Sequence, residues 1–120
     1  MHLFQTGNFT LHSGSQSDFK IVCDVLYQAD WMTIARQVAM WTTFQKVEGV
    51  PQGGIPFADA LSYYASPYGC VPLLIVDDVL STGRSMEQQR NGREAVGVVL
   101  FARGKCPPWI TAIWKFGLTL

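Results

Sequence analysis

The sequence predicts an α/β protein: one domain built as a three-layer sandwich around a mainly parallel sheet. Three observations predict it. Val71–Val76 and Ala95–Ala102 are almost unbroken apolar runs, the pattern of strands covered on both faces. Strand-like runs alternate with segments whose apolar residues recur at helical spacing. Glycine-bearing loops follow two of the strands, at Gly49–Gly54 and Ser81–Gly83, and such loops gather at the carboxyl edge of an α/β sheet. At 120 residues the chain fits a single domain, 1–120. A chain of this size buries about two-thirds of its unfolded surface, enough for a core without staples.

The elements follow in order. Residues 1–24 form a turn-rich arm punctuated by Gly7-Asn8, Ser13-Gly14-Ser15 and Ser17-Asp18. Asp30 reads as an N-cap. Trp31, Ile34, Ala35, Val38, Ala39 and Trp41 then share one face of an amphipathic helix of about three turns, with Thr33, Arg36 and Gln37 on other faces. Phe44–Val50 is a strand. A second helix runs from about Ile55 to Tyr64, with Pro56 in its first turn, where proline is tolerated. Ser66-Pro67-Tyr68-Gly69 ends it. The apolar run Val71–Val76 stops at Asp77-Asp78. Ser85–Asn91 is a short helix with Gly92 as its stop. Ala95–Ala102 and, after Cys106-Pro107-Pro108, Trp109–Phe116 are the last strands.

Composition excludes several classes. With 48% hydrophobic and 15% charged residues the chain is globular rather than disordered. A formal net charge of zero gives no sign of the basic face of a dedicated nucleic-acid binder. Cys23, Cys70 and Cys106 are widely spaced and odd in number, against a disulfide framework or a zinc site. The chain shows neither the basic-then-apolar pattern of a signal peptide nor an apolar stretch long enough to span a bilayer. These features predict a soluble, cytoplasmic protein with no nucleic-acid or membrane partner.

Chemistry concentrates in Leu73–Ser85. An apolar strand delivers two adjacent carboxylates, Asp77 and Asp78, to the sheet edge. The loop Leu80-Ser81-Thr82-Gly83-Arg84-Ser85 then leads into a helix, whose first N–H groups point outward with partial positive charge. The hydroxyls of Ser81, Thr82 and Ser85 add donors, and glycine lets a ligand approach the backbone. This is a cradle for an anion such as phosphate. The two acids would repel phosphate but accept hydrogen bonds from neighbouring sugar hydroxyls. Phosphate donors beside diol acceptors describe a ribose 5-phosphate. An aspartate cap after a core strand accounts for one acid and one serine, not for the whole run.

The stretch Leu74-Ile75-Val76-Asp77-Asp78-Val79-Leu80-Ser81-Thr82-Gly83-Arg84-Ser85 closely resembles the phosphoribosyl pyrophosphate motif of the phosphoribosyltransferases. Phe9-Thr10-Leu11-His12-Ser13-Gly14-Ser15-Gln16-Ser17 resembles the amino-terminal motif of the orotate phosphoribosyltransferases, Phe-x-Leu-x-Ser-Gly-x-x-Ser. The run Val50-Pro51-Gln52-Gly53-Gly54 is similar to their pyrophosphate-binding loop, and Arg103 lies where they carry an Asp-Arg pair whose arginine holds the base carboxylate. The resemblance implies catalytic roles for Asp77 and Asp78, a base site from His12, Ser13 and Arg103 with the arm contributing, and Mg²⁺ as cofactor held by no protein ligand that the sequence identifies. It also implies phosphoribosyl pyrophosphate and a small base or nucleotide as partners, and pentosyl transfer to an orotate-like or other pyrimidine as the reaction. The small size and open site are compatible with a homodimer.

The chain departs from that family in three places. The family's long flexible loop, which closes over the reaction, has only Ala65–Pro72 in its interval, so this is a short form without a lid. His12 stands where many members have lysine, and Ala102 replaces the acid before Arg103. The missing lid keeps a second reading open, a non-catalytic module that binds a nucleotide or phosphoribosyl pyrophosphate. A third is a structural subunit assembling through its tryptophans and apolar tail. Other residues carry plainer readings: His12 touches a ligand or is a turn histidine, Arg103-Gly104-Lys105 is a ligand contact or a solvated loop, and Arg90, Arg93 and Glu94 are exposed helix-end charges. Trp31, Trp41, Trp109 and Trp114 pack in the core or at a subunit contact, and Cys23 has no nearby base to make it a nucleophile.

Overall fold

A computed structural model of the chain describes residues 2–11, 14 and 16–116. Its centre is a four-stranded sheet in the order β3-β4-β5-β6, from Phe44–Gly49, Val71–Leu80, Val96–Ala102 and Ile110–Lys115. Every neighbouring pair is parallel. The helices are α1 (Gln28–Trp41), α2 (Ile55–Leu61, continued by a 3₁₀ turn, Ser62–Tyr64) and α3 (Arg84–Arg90). A two-stranded antiparallel ribbon, β1 (Phe4–Thr10) and β2 (Gln16–Ile21), stands apart from the main sheet.

The predicted order of strands and helices after the arm is the observed one, and its local causes are visible. Leu73 to Asp77 are all buried, because one face of β4 meets the cluster built from Trp31, Phe57 and Leu61 and the other shares a cluster with Met86, Val99 and Ile110. Two-sided burial is what an unbroken apolar strand requires. Trp31 packs on Phe57 at 5.1 Å between ring centroids and joins α1 to α2. Pro56 sits in the first turn of α2. Asn91, with φ 51°, caps α3 and Gly92 follows at φ 76°, so the stop extends over both residues.

Four expectations are corrected. The arm is not merely turn-rich: it is the ribbon β1–β2. Phe4 packs edge-on against Phe101 at 5.5 Å and Phe116 at 5.6 Å, fastening the ribbon beside β5 and β6. β4 does not stop at Asp77-Asp78 but runs to Leu80, because β5 keeps pairing with it, Asp77 opposite Val99 and Val79 opposite Phe101. Asp30 is not the N-cap: Tyr27 is, and Asp30 reaches back from the third helical position to accept the Tyr27 N–H at 2.8 Å. Arg90 is not an exposed helix-end charge but half-buried, whereas Arg93 and Glu94 are exposed. Arg93 pairs with Glu48 at 2.8 Å, and Arg90 lies 4.3 Å over the Trp109 ring while also pairing with Glu87.

The tryptophans divide. Trp31 is buried and Trp109 half-buried, whereas Trp41 and Trp114 are exposed. Parallel β5 and β6 are joined through residues 103–109 without a helix. Among the described residues, no helix is long and apolar enough to cross a membrane.

Candidate functional site

β3 and β4 end at the same edge of the sheet, and the loop after each turns over that edge. After β3 the chain passes through Val50–Gly54. Val50 N–H donates to Val76 O at 2.9 Å and Gly54 N–H to Val50 O at 2.8 Å, so the loop folds back onto the neighbouring strand. The Pro51–Gln52 peptide bond is cis. Glycine is required here by crowding. A Cβ on Gly54 would lie 2.6 Å from Val76 O, and one on Gly53 would lie 2.5 Å from Asp78 Oδ2.

After β4, Ser81 to Gly83 lead into α3. Gly83 is its N-cap, in the left-handed region at φ 86°. Arg84 N–H donates to Thr82 Oγ1 at 3.3 Å, and the remaining first-turn N–H groups have no helical acceptor. The 103–109 connection supports this loop from behind. Arg103 N–H donates to Leu80 O at 2.8 Å, and Gly104 lies so close that a Cβ there would be 2.7 Å from Ser81 O. Gly104 thus has a packing role that the sequence reading as ligand contact or solvated loop did not contain.

One cleft of about 720 Å³ collects these parts. Val50 to Gly53, Asp77, Asp78, Leu80 to Ser85 and Arg103 all line it. Gly54 is buried behind the loop, and Leu80, at 2% exposure, closes the strand rather than offering a free loop backbone. His12 and Ser13 lie outside the described residues. The ribbon supplies the opposite wall through Asn8, Phe9, Thr10, Leu11, Lys20 and Ile21. Of these only the Phe9-x-Leu11 pattern pointed to the cleft in advance. Asn8 and Lys20 were missed, and the alternating polarity of Gln16–Ile21 is the signal that places Lys20 on one face of a strand.

The acid pair is unequal. Asp77 is 8% exposed and is the one buried charged residue of the described chain. Its carboxyl is pushed well above the ordinary carboxylate range, first by burial, then by its hydrogen bond with Asp78 and by the Asp78 charge. The Asp78 N–H, donating to Asp77 Oδ1 at 2.8 Å, offsets only part of this. Asp78 is half-buried, and its Oδ1 accepts the Val79 N–H at 2.7 Å. A second cavity, which shares Gln52 and Gly53 with the first, reaches Cys23. Burial, followed by the charges of Asp78, Asp24 and Asp77, pushes that thiol up to about 12, so it is no nucleophile at neutral pH.

Arg103 reaches from the end of β5 to the ribbon. Its Nη2 donates to Ser17 Oγ and, at 2.9 Å, to Phe19 O, and its guanidinium lies 3.8 Å over the Phe19 ring. Burial lowers its pKa, with the Asp18 charge acting in the other direction. Among the described residues no group of three His, Cys, Asp or Glu side chains is arranged to hold a metal ion.

No protein-family model and no curated protein matches the chain. Solved structures do. An orotate phosphoribosyltransferase from Aeropyrum pernix superposes with a TM-score of 0.71 at 22% identity, over 94% of this chain and 88% of that one. The UMP synthase of Leishmania donovani gives 0.74 at 25% identity, over 95% of this chain; the chain spans only 34% of that protein. The orotate phosphoribosyltransferase of Francisella tularensis gives 0.61 at 18% identity, over 94% of this chain and 80% of that one. The chain thus has the fold of the orotate phosphoribosyltransferases.

Proposed function

We propose that the chain transfers ribose 5-phosphate from phosphoribosyl pyrophosphate to a ring nitrogen of a nitrogenous base, orotate-like or another pyrimidine. The observation that carries this reading is the convergence of three separate segments on one cleft: the Val50–Gly53 loop, the acid pair, and the Leu80–Ser85 run. Each matches one part of the substrate. The amides and hydroxyls from Ser81 to Ser85 face the 5-phosphate, with Arg84 beside them. Asp78 accepts hydrogen bonds from the ribose hydroxyls. Asp77, holding its proton, acts as a neutral partner to Asp78 and fixes it against the sheet edge. The backbone of Pro51 to Gly53 faces the pyrophosphate.

In the reaction the bond from the anomeric carbon to pyrophosphate breaks and a bond from that carbon to the base nitrogen forms, the base having lost that nitrogen's proton to solvent before it enters. Positive charge develops on the ribose ring between the two events. A carboxylate under the ring stabilises that charge, and donors on the leaving group stabilise the departing anion. The donor chemistry fits Mg²⁺. This ion takes one or two carboxylates plus substrate phosphate oxygens and water, and Asp78 would supply one such carboxylate in the cleft. When bound, the ion neutralises charge on the leaving group.

A second reading is favoured by one observation. Only residues 65–70 separate the 3₁₀ turn after α2 from β4, leaving no segment there to close over the cleft and exclude water. A module that binds phosphoribosyl pyrophosphate or a nucleotide without chemistry would have this form. Calorimetric titration of phosphoribosyl pyrophosphate with Mg²⁺ into the wild type and into Asp77→Asn/Asp78→Asn tests the shared site. Saturable binding in the wild type, weakened at least about tenfold in the variant, is expected. No binding to folded wild type would overturn the reading. Base-dependent release of pyrophosphate then separates enzyme from binding module.

A further inference from the structure

We infer that the base pocket of this cleft takes an uncharged pyrimidine without a carboxylate, and that Arg103 is a positioning residue which holds the ribbon β1–β2 as the wall of that pocket. The inference rests on the proposed ribose-phosphate site and narrows its substrate.

The geometry of the guanidinium carries it. An arginine grips a carboxylate through two parallel N–H groups. The end-on fork uses Nη1 and Nη2, and the side-on fork uses Nε and Nη2. Both forks need Nη2, which has two hydrogens. In this chain both are spent within the protein, one on Ser17 Oγ and one on Phe19 O. One face of the guanidinium is also covered by the Phe19 ring at 3.8 Å. Arg103 therefore presents no fork to a ligand unless it lets go of β2.

The same contacts give it a different task. They tie the end of β5 to the middle of β2, across 86 and 84 positions of sequence. The ribbon residues Asn8, Phe9, Lys20 and Ile21 line the cleft opposite the phosphate loop. Releasing Arg103 would loosen that wall, leaving it held by the Phe4 and Phe19 contacts with Phe101 and Phe116. Among the described residues lining the cleft, Lys20 is the other cation on the ribbon side, and its Nζ lies 5.9 Å from the centre of the Phe9 ring. It offers a hydrated point charge rather than a fork. Phe9 beside Lys20 gives a flat apolar surface suited to a heterocycle.

The test compares three probes on the full chain by calorimetry: ribose 5-phosphate, uridine 5′-monophosphate and orotidine 5′-monophosphate. The two nucleotides differ by the carboxylate. In the wild type the uridine nucleotide is expected to bind at least as tightly as the orotidine nucleotide, to within about threefold, and both more tightly than ribose 5-phosphate. Arg103→Ala is expected to weaken both nucleotides by one common factor, larger than its effect on ribose 5-phosphate. It should also speed amide exchange along Phe4–Thr10 and Gln16–Ile21. A preference for the orotidine nucleotide above about threefold in the wild type would overturn the inference, whatever the variant does. Ribose 5-phosphate binding with no gain from either nucleotide would overturn it too, while leaving the ribose-phosphate site standing. Failure of ribose 5-phosphate itself to bind would remove the proposed site, and this inference with it.

Discussion

The two loops at the carboxyl edge both depend on glycine, but for opposite reasons. In the loop after β3, Gly53 and Gly54 have no positive φ; what they lack is room, since a Cβ would strike the Asp78 carboxylate or the Val76 carbonyl. In the loop after β4, Gly83 has room, its nearest obstacle being Pro107 at 3.6 Å, but its backbone is left-handed at φ 86°. One loop is built by close approach and the other by backbone conformation. The first presses main chain onto the acid pair. The second turns main chain outward into the cleft. The two therefore fail in different ways when a methyl group is added.

The largest expected effect lies where the first loop covers the acids. Asp77 has its folded-state carboxyl raised, with burial the first cause. Between the unfolded carboxylate value and that raised value the folded chain binds more protons than the unfolded chain, so stability falls as pH rises. The slope is at most about 1.4 kcal/mol per pH unit for one proton. Glu48 does not confuse the window: its pKa is lowered to about 2 by its hydrogen bonds to Arg93 and Gln89, so its contribution is lost only as acid is added below its ordinary value of 4.5. Urea midpoints from about pH 5, above the ordinary Glu48 value of 4.5, to about 8, the raised Asp77 value, should fall in the wild type and flatten in Asp77→Asn. Equal slopes in the two proteins would mean that the first loop does not bury the acid as described.

Next comes Gly54→Ala. The three atoms nearest its added carbon, Val76 O, Val50 N and Val50 O, all belong to the main chain, so no side chain can swing aside. A loss of about 3 kcal/mol in urea unfolding is expected. Gly53→Ala meets a side chain instead, the Asp78 carboxylate. Rotating that carboxylate spares the fold but misplaces the proposed ribose acceptor. The expected outcome is about 1 kcal/mol of stability and at least about tenfold in ribose 5-phosphate affinity. If Gly53→Ala bound normally, the contact between the two regions would have no bearing on the ligand.

How far the sequence foretold these regions depended on whether their determinants are local. The apolar run before Asp77 and the spacing of Trp31, Ala35 and Val38 each state one element within a few residues, and both elements appear. The ribbon did not announce itself, because glycine, serine and asparagine within it read as turns. What makes it strands is aromatic contact of Phe4 with Phe101 and Phe116, 97 and 112 positions away. β4 outran its predicted end for a similar reason: acids disfavour strands, but pairing with β5 outweighs that preference. Loop composition likewise pointed to the cleft, whereas the occupation of Arg103 Nη2 depends on where β2 lies and is written in no local pattern.

Gly83→Ala gives the smallest change in the series and the sharpest contrast with Gly54→Ala. The added methyl touches only Pro107, at 3.6 and 3.8 Å, both ordinary contacts. The cost is then conformational alone, about 1 kcal/mol for holding alanine in the left-handed region. Asparagine tolerates that region better, as Asn91 does in this chain at φ 51°, so Gly83→Asn should cost less than Gly83→Ala. Urea midpoints of the three proteins decide the order. A rank of glycine, then asparagine, then alanine identifies backbone conformation as the constraint. If the two variants instead lost as much as Gly54→Ala, the loop after β4 would be crowded as the first one is, and the distinction between the two edge loops would collapse.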